Sequence, residues 1–372
     1  MRGTSARLLA LGSLWIFVAG CDRTGCYLSP AALGTQQEGH FKAVRFGKTC
    51  GARPVVEGLT MDVTGEKPVF ATRIEEDGFC TWAISRVVDG RARPIMSINE
   101  DFGENLNQTW LAAGMNGTFW AIVDNRYAHF MRDGDTRFPS VVKDARAISL
   151  SSTATGRVYA IEHYQTDNPI GSFYLVDVKN RRSLLLPSDR FAWPYVQRAL
   201  DGNVYIDGRL RYFGGTSGSQ SRECSRYRVE SVGQSQSERL ELQHVGDCGV
   251  LGKDGASWKP MIYGLWRQLR GERKYYYPVE PMWACVDRGN RPGLIAADQL
   301  GNVWFVYRKL WHINSIGKLS STNLPVGSRD PLTIGERYSA GYPLGSGQLV
   351  AANDGTVWVS DDTSLYQFVL EP

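Results

Sequence analysis

Short runs of alternating apolar and polar residues recur along this chain, each preceded by a turn that contains glycine. The last run is representative: Asp354-Gly-Thr-Val-Trp-Val-Ser-Asp361 is followed, after a polar break, by Ser364-Leu-Tyr-Gln-Phe-Val369. Alternation with a period of two, bounded by turn residues, predicts two short strands. A helical period is absent, and proline and glycine are spread too evenly for long helices.

The same sequence motif occurs seven times, which indicates a repeat architecture. The turn glycines of the copies are 52, 39, 46, 53, 46 and 54 residues apart, at Gly65, Gly117, Gly156, Gly202, Gly255, Gly301 and Gly355. A repeat of this length, with a turn glycine and a core aromatic residue, is typical of a β-propeller blade. One blade cannot bury both of its faces alone, so the ring must close. We predict an all-β propeller, with seven blades favoured over six or eight.

The amino-acid sequence of the repeats also resembles that of known propeller families. The form G-x-V-W-x-x-x, followed by a Leu/Tyr-x-x-Phe strand, resembles the blades of sensor-type regulator propellers and of the streptogramin-lyase family, over about residues 60–370. The resemblance implies the fold, whereas function has to be argued from a site. It also implies, for a lyase, a catalytic His and Glu in later blades. The later blades here offer His312 without a matching Glu.

The N-terminal residues predict a targeting segment at 1–20. Arg2 and Arg7 precede an apolar stretch that is shorter than the roughly 20 residues of a membrane span. Its end, Phe17-Val-Ala-Gly-Cys21, resembles a bacterial lipobox, which implies cleavage before Cys21 and lipidation of its sulfur. A plain secretory signal or an uncleaved anchor is the alternative. We expect residues 21–40, which lack a period, to be a lipidated tether and residues 41–372 to form the propeller.

Cysteine usage indicates an oxidising compartment. Lipidation of Cys21 would leave six of the seven cysteines, an even number that suits three disulfides. We predict a Cys224–Cys248 disulfide, because these residues bracket a polar excursion. The other four, Cys26, Cys50, Cys80 and Cys285, allow three connectivities. Free thiols in a cytosolic protein are the alternative; a zinc site is not indicated, since no C-x₂-C spacing occurs and histidines number only five.

Net charge argues against nucleic acid as a partner. The formal charge is +4, and loss of Arg2 and Arg7 with the signal segment would leave +2, which is close to neutral. No stretch after the signal is long and apolar enough to span a bilayer. We therefore expect a membrane-anchored lipoprotein of the bacterial cell envelope, facing the periplasm or the exterior.

Three segments deviate from the repeat. Phe41–Phe46 alternates and is expected to close the ring beside the blade at 345–370, where Cys50 could pin it; a stray edge strand is the alternative. Residues 213–238 read as a long loop or an extended hairpin. Residues 264–283 mix basic and aromatic residues, and they either complete the fifth blade or project as a partner contact.

The turn after each Val-Trp strand is expected at the mouth of the central channel. The candidate mouth residues are Arg73, Glu75, Asp124, Asn125, Arg126, Glu162, His163, Asp207, Arg209, Arg308, Asp361 and Asp362. Their mixed charges suit a polar or zwitterionic ligand or a protein loop, although each could be an ordinary solvated turn residue. Glu162 and His163 form the one adjacent carboxylate–imidazole pair and hence the weak catalytic alternative. Neighbouring residues on a strand point to opposite faces, so the two could cooperate only beyond the strand's end.

Other signatures of catalysis are missing from the sequence. There is no G-x-S-x-G, H-E-x-x-H, P-loop or dinucleotide fingerprint, and Asp133-Gly-Asp135 is too short for an EF-hand loop. We expect no cofactor and no metal, and we assign Trp120, Trp304 and Trp358 to blade packing. The expected function is non-catalytic binding or scaffolding of an envelope protein or glycan. The alternative is a propeller enzyme, lyase- or hydrolase-like, acting on a small ligand or glycan at the channel mouth.

Overall fold

In the structure, a computed structural model, the regular secondary structure of the described residues is almost entirely β-strand. The structure describes residues 26–28, 35–36, 39–51, 54–98, 111–123, 126–131, 134–165, 171–188, 190–191, 194–209, 224–232, 238–247, 249–261, 264–270, 272–276, 283–285, 295–307, 309–325, 347–361 and 363–370. Within these residues the only helical segment is a 3₁₀ turn at Met115–Gly117. The described part of the chain contains no helix with the length and apolarity that a membrane crossing requires.

Three strands precede blade 1 in the chain: β1 (Cys26–Leu28), β2 (Thr35–Gln36) and β3 (Gly39–Ala43). Blade 1 comprises β4 (Val56–Met61), β5 (Pro68–Glu76), β6 (Phe79–Val88) and β7 (Arg91–Ile98). Blade 2 comprises β8 (Leu111–Ala113), β9 (Phe119–Val123), β10 (Arg126–Met131) and β11 (Gly134–Phe138). Blade 3 comprises β12 (Arg146–Ser152), β13 (Val158–Tyr164), β14 (Ser172–Asp177) and β15 (Arg182–Leu186). Blade 4 comprises β16 (Tyr195–Arg198), β17 (Val204–Arg209), β18 (Cys224–Val232) and β19 (Arg239–Asp247).

Blade 5 comprises β20 (Val250–Leu251), β21 (Ser257–Met261), β22 (Gly264–Leu269) and β23 (Glu272–Tyr276). After it, β24 (Trp283–Cys285) lies in the connection to the next blade. Blade 6 comprises β25 (Ile295–Ala297), β26 (Val303–Tyr307), β27 (Lys309–Ile313) and β28 (Leu319–Asn323). Blade 7 comprises β29 (Gly347–Ala351), β30 (Val357–Asp361) and β31 (Leu365–Leu370), to which β3 is added.

The blades form a seven-membered ring, as predicted. Consecutive strands pair within each sheet, and the first strands of neighbouring blades contact one another, for example β4 with β8 and β29 with β4. The first strands therefore surround the ring axis and the fourth strands form its outside. Alternate side chains of each strand face the two neighbouring blades, which explains the period of two in the sequence.

The seven repeat glycines occupy the turns between first and second strands. All of them have φ between 72° and 92°, the left-handed region that disfavours other residues. These turns also contact the next blade: the amide of Ala154 donates to the carbonyl of Gly202 at 2.8 Å. A Cβ on Gly202 would come within 2.6 Å of the Ala154 side chain. Glycine is thus required both by the turn and by the packing of blade against blade.

Acidic residues complete these turns, a feature of the repeat that the sequence interpretation missed. Asp298 is fully buried and accepts hydrogen bonds from the amide and side-chain nitrogens of Asn302 (2.9 and 2.8 Å) and from Nε1 of Trp304 (3.1 Å). In blade 4, Asp201 accepts from the hydroxyl of Tyr205 at 2.6 Å. Turn acid, glycine and core aromatic residue therefore form one hydrogen-bonded unit.

Apolar clusters fill the spaces between blades. Trp120, Trp304 and Trp358 are 6%, 0% and 5% exposed, in agreement with their assignment to blade packing. Trp304, for example, contacts Phe368 of blade 7 with ring centroids 5.7 Å apart. Since a buried side chain of this size contributes about 3 kcal/mol or more, these residues are major determinants of ring stability.

The N-terminal strand β3 closes the ring, as predicted. It pairs antiparallel with β31, from Gly39 opposite Leu370 to Ala43 opposite Tyr366. The chain then runs on to blade 1, where Cys50 forms a disulfide with Cys80 across a Cα–Cα distance of 5.6 Å. The sequence left three connectivities open for Cys26, Cys50, Cys80 and Cys285. The Cys50–Cys80 bond belongs to one of them, and it attaches the segment after the closing strand to blade 1.

Two further strands lie inside the stretch that was expected to be a tether. β1 pairs antiparallel with β24, and β2 pairs parallel with β28 on the outer edge of blade 6. This part of the 21–40 stretch is therefore integrated into the fold. Both pairings join residues that are distant in sequence, so the stretch shows no local period.

The basic and aromatic segment completes the fifth blade up to Tyr276, since β22 and β23 are its last two strands. The interpretation as a purely projecting contact is therefore wrong for residues 264–276; residues 277–282 lie outside the described chain. In blade 4, residues 224–232 form β18, which pairs with β19 in a hairpin; this agrees with the second interpretation of 213–238 for the described part, while residues 213–223 and 233–237 lie outside it.

Candidate functional site

The two faces of the ring differ in the length of their connections. One face, which we call the turn face, carries the links from first to second and from third to fourth strands; 62–67 and 233–238 are among the longest. The opposite face, the connection face, carries the links from second to third strands and from blade to blade. The long segments 99–110, 210–223, 277–294 and 326–346 all join strand ends of the connection face. The candidate mouth residues that the structure describes lie toward the strand ends of this face as well.

Glu162 is held in a structural role. It is fully buried within β13, two residues before the strand ends, and its carboxylate accepts hydrogen bonds from the hydroxyl of Tyr127 (2.8 Å) and from the amides of Val141 and Val142 (2.6 and 2.7 Å). Burial, with the neighbouring Glu162 carboxylate, raises the pKa of Tyr127 well above its ordinary value. These bonds connect blade 3 to blade 2, so the carboxylate stabilises the contact between the two blades.

His163 lies on the other side of the same strand. Its ring stacks on Phe173 at 4.7 Å, within the packing between blades 3 and 4. Glu162 faces blade 2, so the alternation of the strand separates the two side chains. The geometry therefore gives them no shared acid/base function in this arrangement.

Asp207 forms a buried ion pair with Arg226. Both residues are 1% exposed, and the pair is bidentate, with Nε to Oδ1 at 2.6 Å and a second N–O distance of 2.8 Å. Tyr195 and Gln197 also donate to the carboxylate, at 2.8 and 3.1 Å. Burial alone would lower the pKa of Arg226, but Asp207 outweighs it and raises that pKa. This cluster connects the first three strands of blade 4 through side-chain hydrogen bonds.

Two arginines of the expected mouth are exposed to solvent. Arg73 lies over the ring of Trp82 at 5.9 Å, and Arg126 begins β10. Glu75, beside Arg73, forms an ion pair with Lys48. Asp124, Asn125, Arg308 and Asp362 lie outside the described residues, as do the side chains of Arg209 and Asp361. The described part of the mouth is therefore cationic at its surface.

Arg198, which the sequence interpretation did not single out, crosses the ring on the turn face. It ends the first strand of blade 4, and its guanidinium donates to the carbonyls of Asp62 (3.2 Å) and Val63 (2.7 Å) in blade 1. Blades 1 and 4 are not neighbours, so these bonds span the centre of the ring. On the same face, Gln299 of blade 6 donates to the carbonyl of Leu200 at 2.8 Å. Access to the channel is therefore restricted from the turn face.

The described residues contain no group of three or more His, Cys, Asp and Glu side chains that could hold a metal ion. Cys224 begins β18, and the next residue, Ser225, pairs with Asp247, the residue before Cys248. Cys248 lies outside the described residues, so the Cys224–Cys248 disulfide stays a prediction. His312 is buried between blades 6 and 7, stacked on Trp304 at 4.0 Å, and is therefore not at the mouth.

Similarity to solved structures extends over most of the chain. Streptogramin B lyase superposes with a TM-score of 0.54 at 14% identity, covering 90% of this chain and 98% of the lyase. An oligogalacturonate lyase of Vibrio parahaemolyticus gives 0.49 at 10% identity, covering 92% and 99%. The extracellular domain of a hybrid two-component system of B. thetaiotaomicron gives 0.47 at 10% identity, covering 90% and 41%. Neither a protein-family model nor a curated protein sequence matches the chain. At these identities the likeness establishes the propeller fold alone.

Proposed function

We propose that this chain is a membrane-anchored envelope lipoprotein whose propeller binds an envelope protein or glycan through the connection face, without catalysis. The observation that carries the proposal is the asymmetry of the ring. Long connections leave one face, while Arg198 ties blade 4 to blade 1 across the other. Loops on a rigid scaffold are the usual place of recognition, so a ligand would approach from the connection face.

The described mouth residues favour binding over catalysis. Glu162 and Asp207, two of its carboxylates, make hydrogen bonds that hold blades and strands together. The exposed groups are the guanidiniums of Arg73 and Arg126, which suit an acidic partner through paired N–H donors. Arginine is also prominent among residues that dominate protein interfaces.

Binding is tested with the full chain carrying Cys21→Ser, used to capture partners from envelope extracts. The charge reversals Arg73→Glu and Arg126→Glu, combined, are expected to abolish capture of a partner that the parent protein retains. The matched control reverses two exposed lysines of the turn face, Lys253→Glu and Lys318→Glu, and should retain that partner. Equal loss in both variants, or turnover of an envelope-derived small molecule by the parent, would contradict the proposal.

Anchoring is supported by the lipobox-like end of the apolar stretch and by the disulfide between Cys50 and Cys80, which suits an oxidising compartment. Cells grown with a fatty-acid analogue should label the protein. Cys21→Ser should remove the label, and the protein should then leave the membrane fraction. Labelling that survives the substitution would contradict a lipid on Cys21.

A further inference from the structure

Four arginines share one side of the outer edge of blade 1. Arg86 of β6 pairs directly with Arg93 of β7, and Arg45, outside β7, forms a parallel bridge with Arg91. Residues opposite each other in a sheet project from the same side, as do residues two apart on one strand. We call these four residues the arginine edge.

The side of the sheet follows from the packing of the intervening residues. Val87, Ala92 and Val44 belong to the apolar cluster between blades 7 and 1. Each is the chain neighbour of an arginine, so alternation turns the arginine edge to the opposite side, toward blade 2. β7 is the outermost strand of its blade, and Arg45, Arg91 and Arg93 are exposed.

The charges of the arginine edge are not neutralised by the residues that the structure describes. None of the four guanidiniums forms an ion pair with any described residue, and the Nε of Arg86 is buried without a hydrogen-bond partner. Two arginines of blade 4 are paired by contrast, Arg228 with Glu230 and Arg239 with Glu241. Like charges directly opposite in a sheet are unfavourable, and a buried donor without an acceptor is costly. A bound anion would offset the repulsion between the arginines and could accept the missing hydrogen bond from the Nε of Arg86.

We propose that the arginine edge binds the phosphate groups of anionic phospholipid headgroups. Guanidinium groups bind phosphate through paired N–H donors, and a compact group of four offers several such pairs. Arg45, Arg91 and Arg93 lie on or outside the outermost strand of the blade and are exposed, so a flat, multiply charged lipid surface at the rim of the ring can reach them. The proposal depends neither on the partner of the connection face nor on lipidation of Cys21.

The test measures partition of the full chain onto vesicles of phosphatidylcholine, alone or mixed equally with phosphatidylglycerol, at low salt. All forms carry Cys21→Ser, so no lipid on that residue contributes. Each basic residue near an anionic surface strengthens binding about five-fold. Arg91→Gln with Arg93→Gln should therefore weaken partition onto the anionic vesicles by about 25-fold. Both side chains are exposed, so the thermal midpoint should not fall.

A variant with the same loss of charge, Arg239→Gln with Lys253→Gln, controls for net charge and should retain most of the partition. Equal losses in the two variants would mean that net charge alone drives binding and would overturn the site. Undiminished partition of the Arg91/Arg93 variant would do the same. Titration with inorganic phosphate identifies the source: a site that binds free phosphate but no anionic vesicle overturns the lipid assignment.

Discussion

At the scale of single residues, the buried carboxylates nearest the expected mouth mainly stabilise the fold. Asp207 and Glu162 lie at strand ends where a ligand site was expected, but both are buried and hydrogen-bonded within the fold. Buried charge is tolerated only with such partners. Removing one partner should therefore affect stability more than binding.

Asp207→Asn should lower the free energy of unfolding by about 3–5 kcal/mol, because it leaves Arg226 as an unpaired buried cation. Denaturant unfolding of the parent and the variant measures the difference. Asp354→Asn serves as the control: Asp354 is exposed and accepts a turn hydrogen bond that an amide oxygen can also accept, so little should change. Similar unfolding curves for the parent and Asp207→Asn would contradict the ion-pair role.

His312 should make stability depend on pH. Burial lowers its pKa to about 4, from an ordinary value near 6.5, so the folded state favours the neutral ring. Its contribution is complete above about pH 6.5 and is lost as the pH falls toward 4, a loss of about 3 kcal/mol. Unfolding followed by tryptophan emission across this range measures the slope.

His312→Leu should remove most of that slope. A smaller part should persist, since burial also lowers the pKa of His129. A slope that His312→Leu does not reduce would show that other groups carry the pH dependence.

At the scale of elements, β1 and β24 place two of the remaining cysteines opposite each other. Cys26 is the register partner of Cys285, and Cys50 already pairs with Cys80. Directly opposed residues of antiparallel strands have Cα atoms about 4.5–5.5 Å apart, a separation that a disulfide spans. We predict a Cys26–Cys285 disulfide, visible as a linked peptide in a non-reduced digest. The Cys50–Cys80 peptide is the internal standard, and a free Cys26 thiol beside it would contradict the prediction.

The elements that the sequence predicted are those with local signals. Turn glycines such as Gly202 and Gly355, and the alternation that follows them, mark the second and third strands of a blade without knowledge of the partner strand. The closing strand was recognisable for the same reason. β1 and β2 were not, because two or three residues carry no period and their partners are far away in sequence.

The candidate site was less predictable than the fold, because its contacts are set by register. Asp207 and Arg226 meet since they are opposite residues of β17 and β18. Nothing near either residue in the sequence indicates that pairing. Arg198 lies at a strand end like many other polar residues, and only ring closure brings it to the carbonyls of blade 1. Strand ends were thus predictable, whereas their partners were not.

At the scale of the whole molecule, Arg198 joins blades that are otherwise held only through their neighbours. Replacing it with methionine keeps the apolar stem but removes two hydrogen bonds from a charged donor, so the free energy of unfolding should fall by about 2 kcal/mol. Denaturant unfolding provides the measurement. Lys318→Met, at an exposed turn of the same face, is the control and should change little. Equal stability of Arg198→Met and the parent would show that the crossing contact contributes nothing.

The N-terminal strands also determine how mechanical load would pass through the molecule. β1 precedes the closing strand β3 in the chain and is paired with β24 between blades 5 and 6. The five residue steps from Cys21 to Cys26 span at most about 18 Å when extended. A pull on an anchor at Cys21 would therefore load the β1–β24 pair first, and a disulfide there would divert the force into the ring. The closing strand would then carry little of that load.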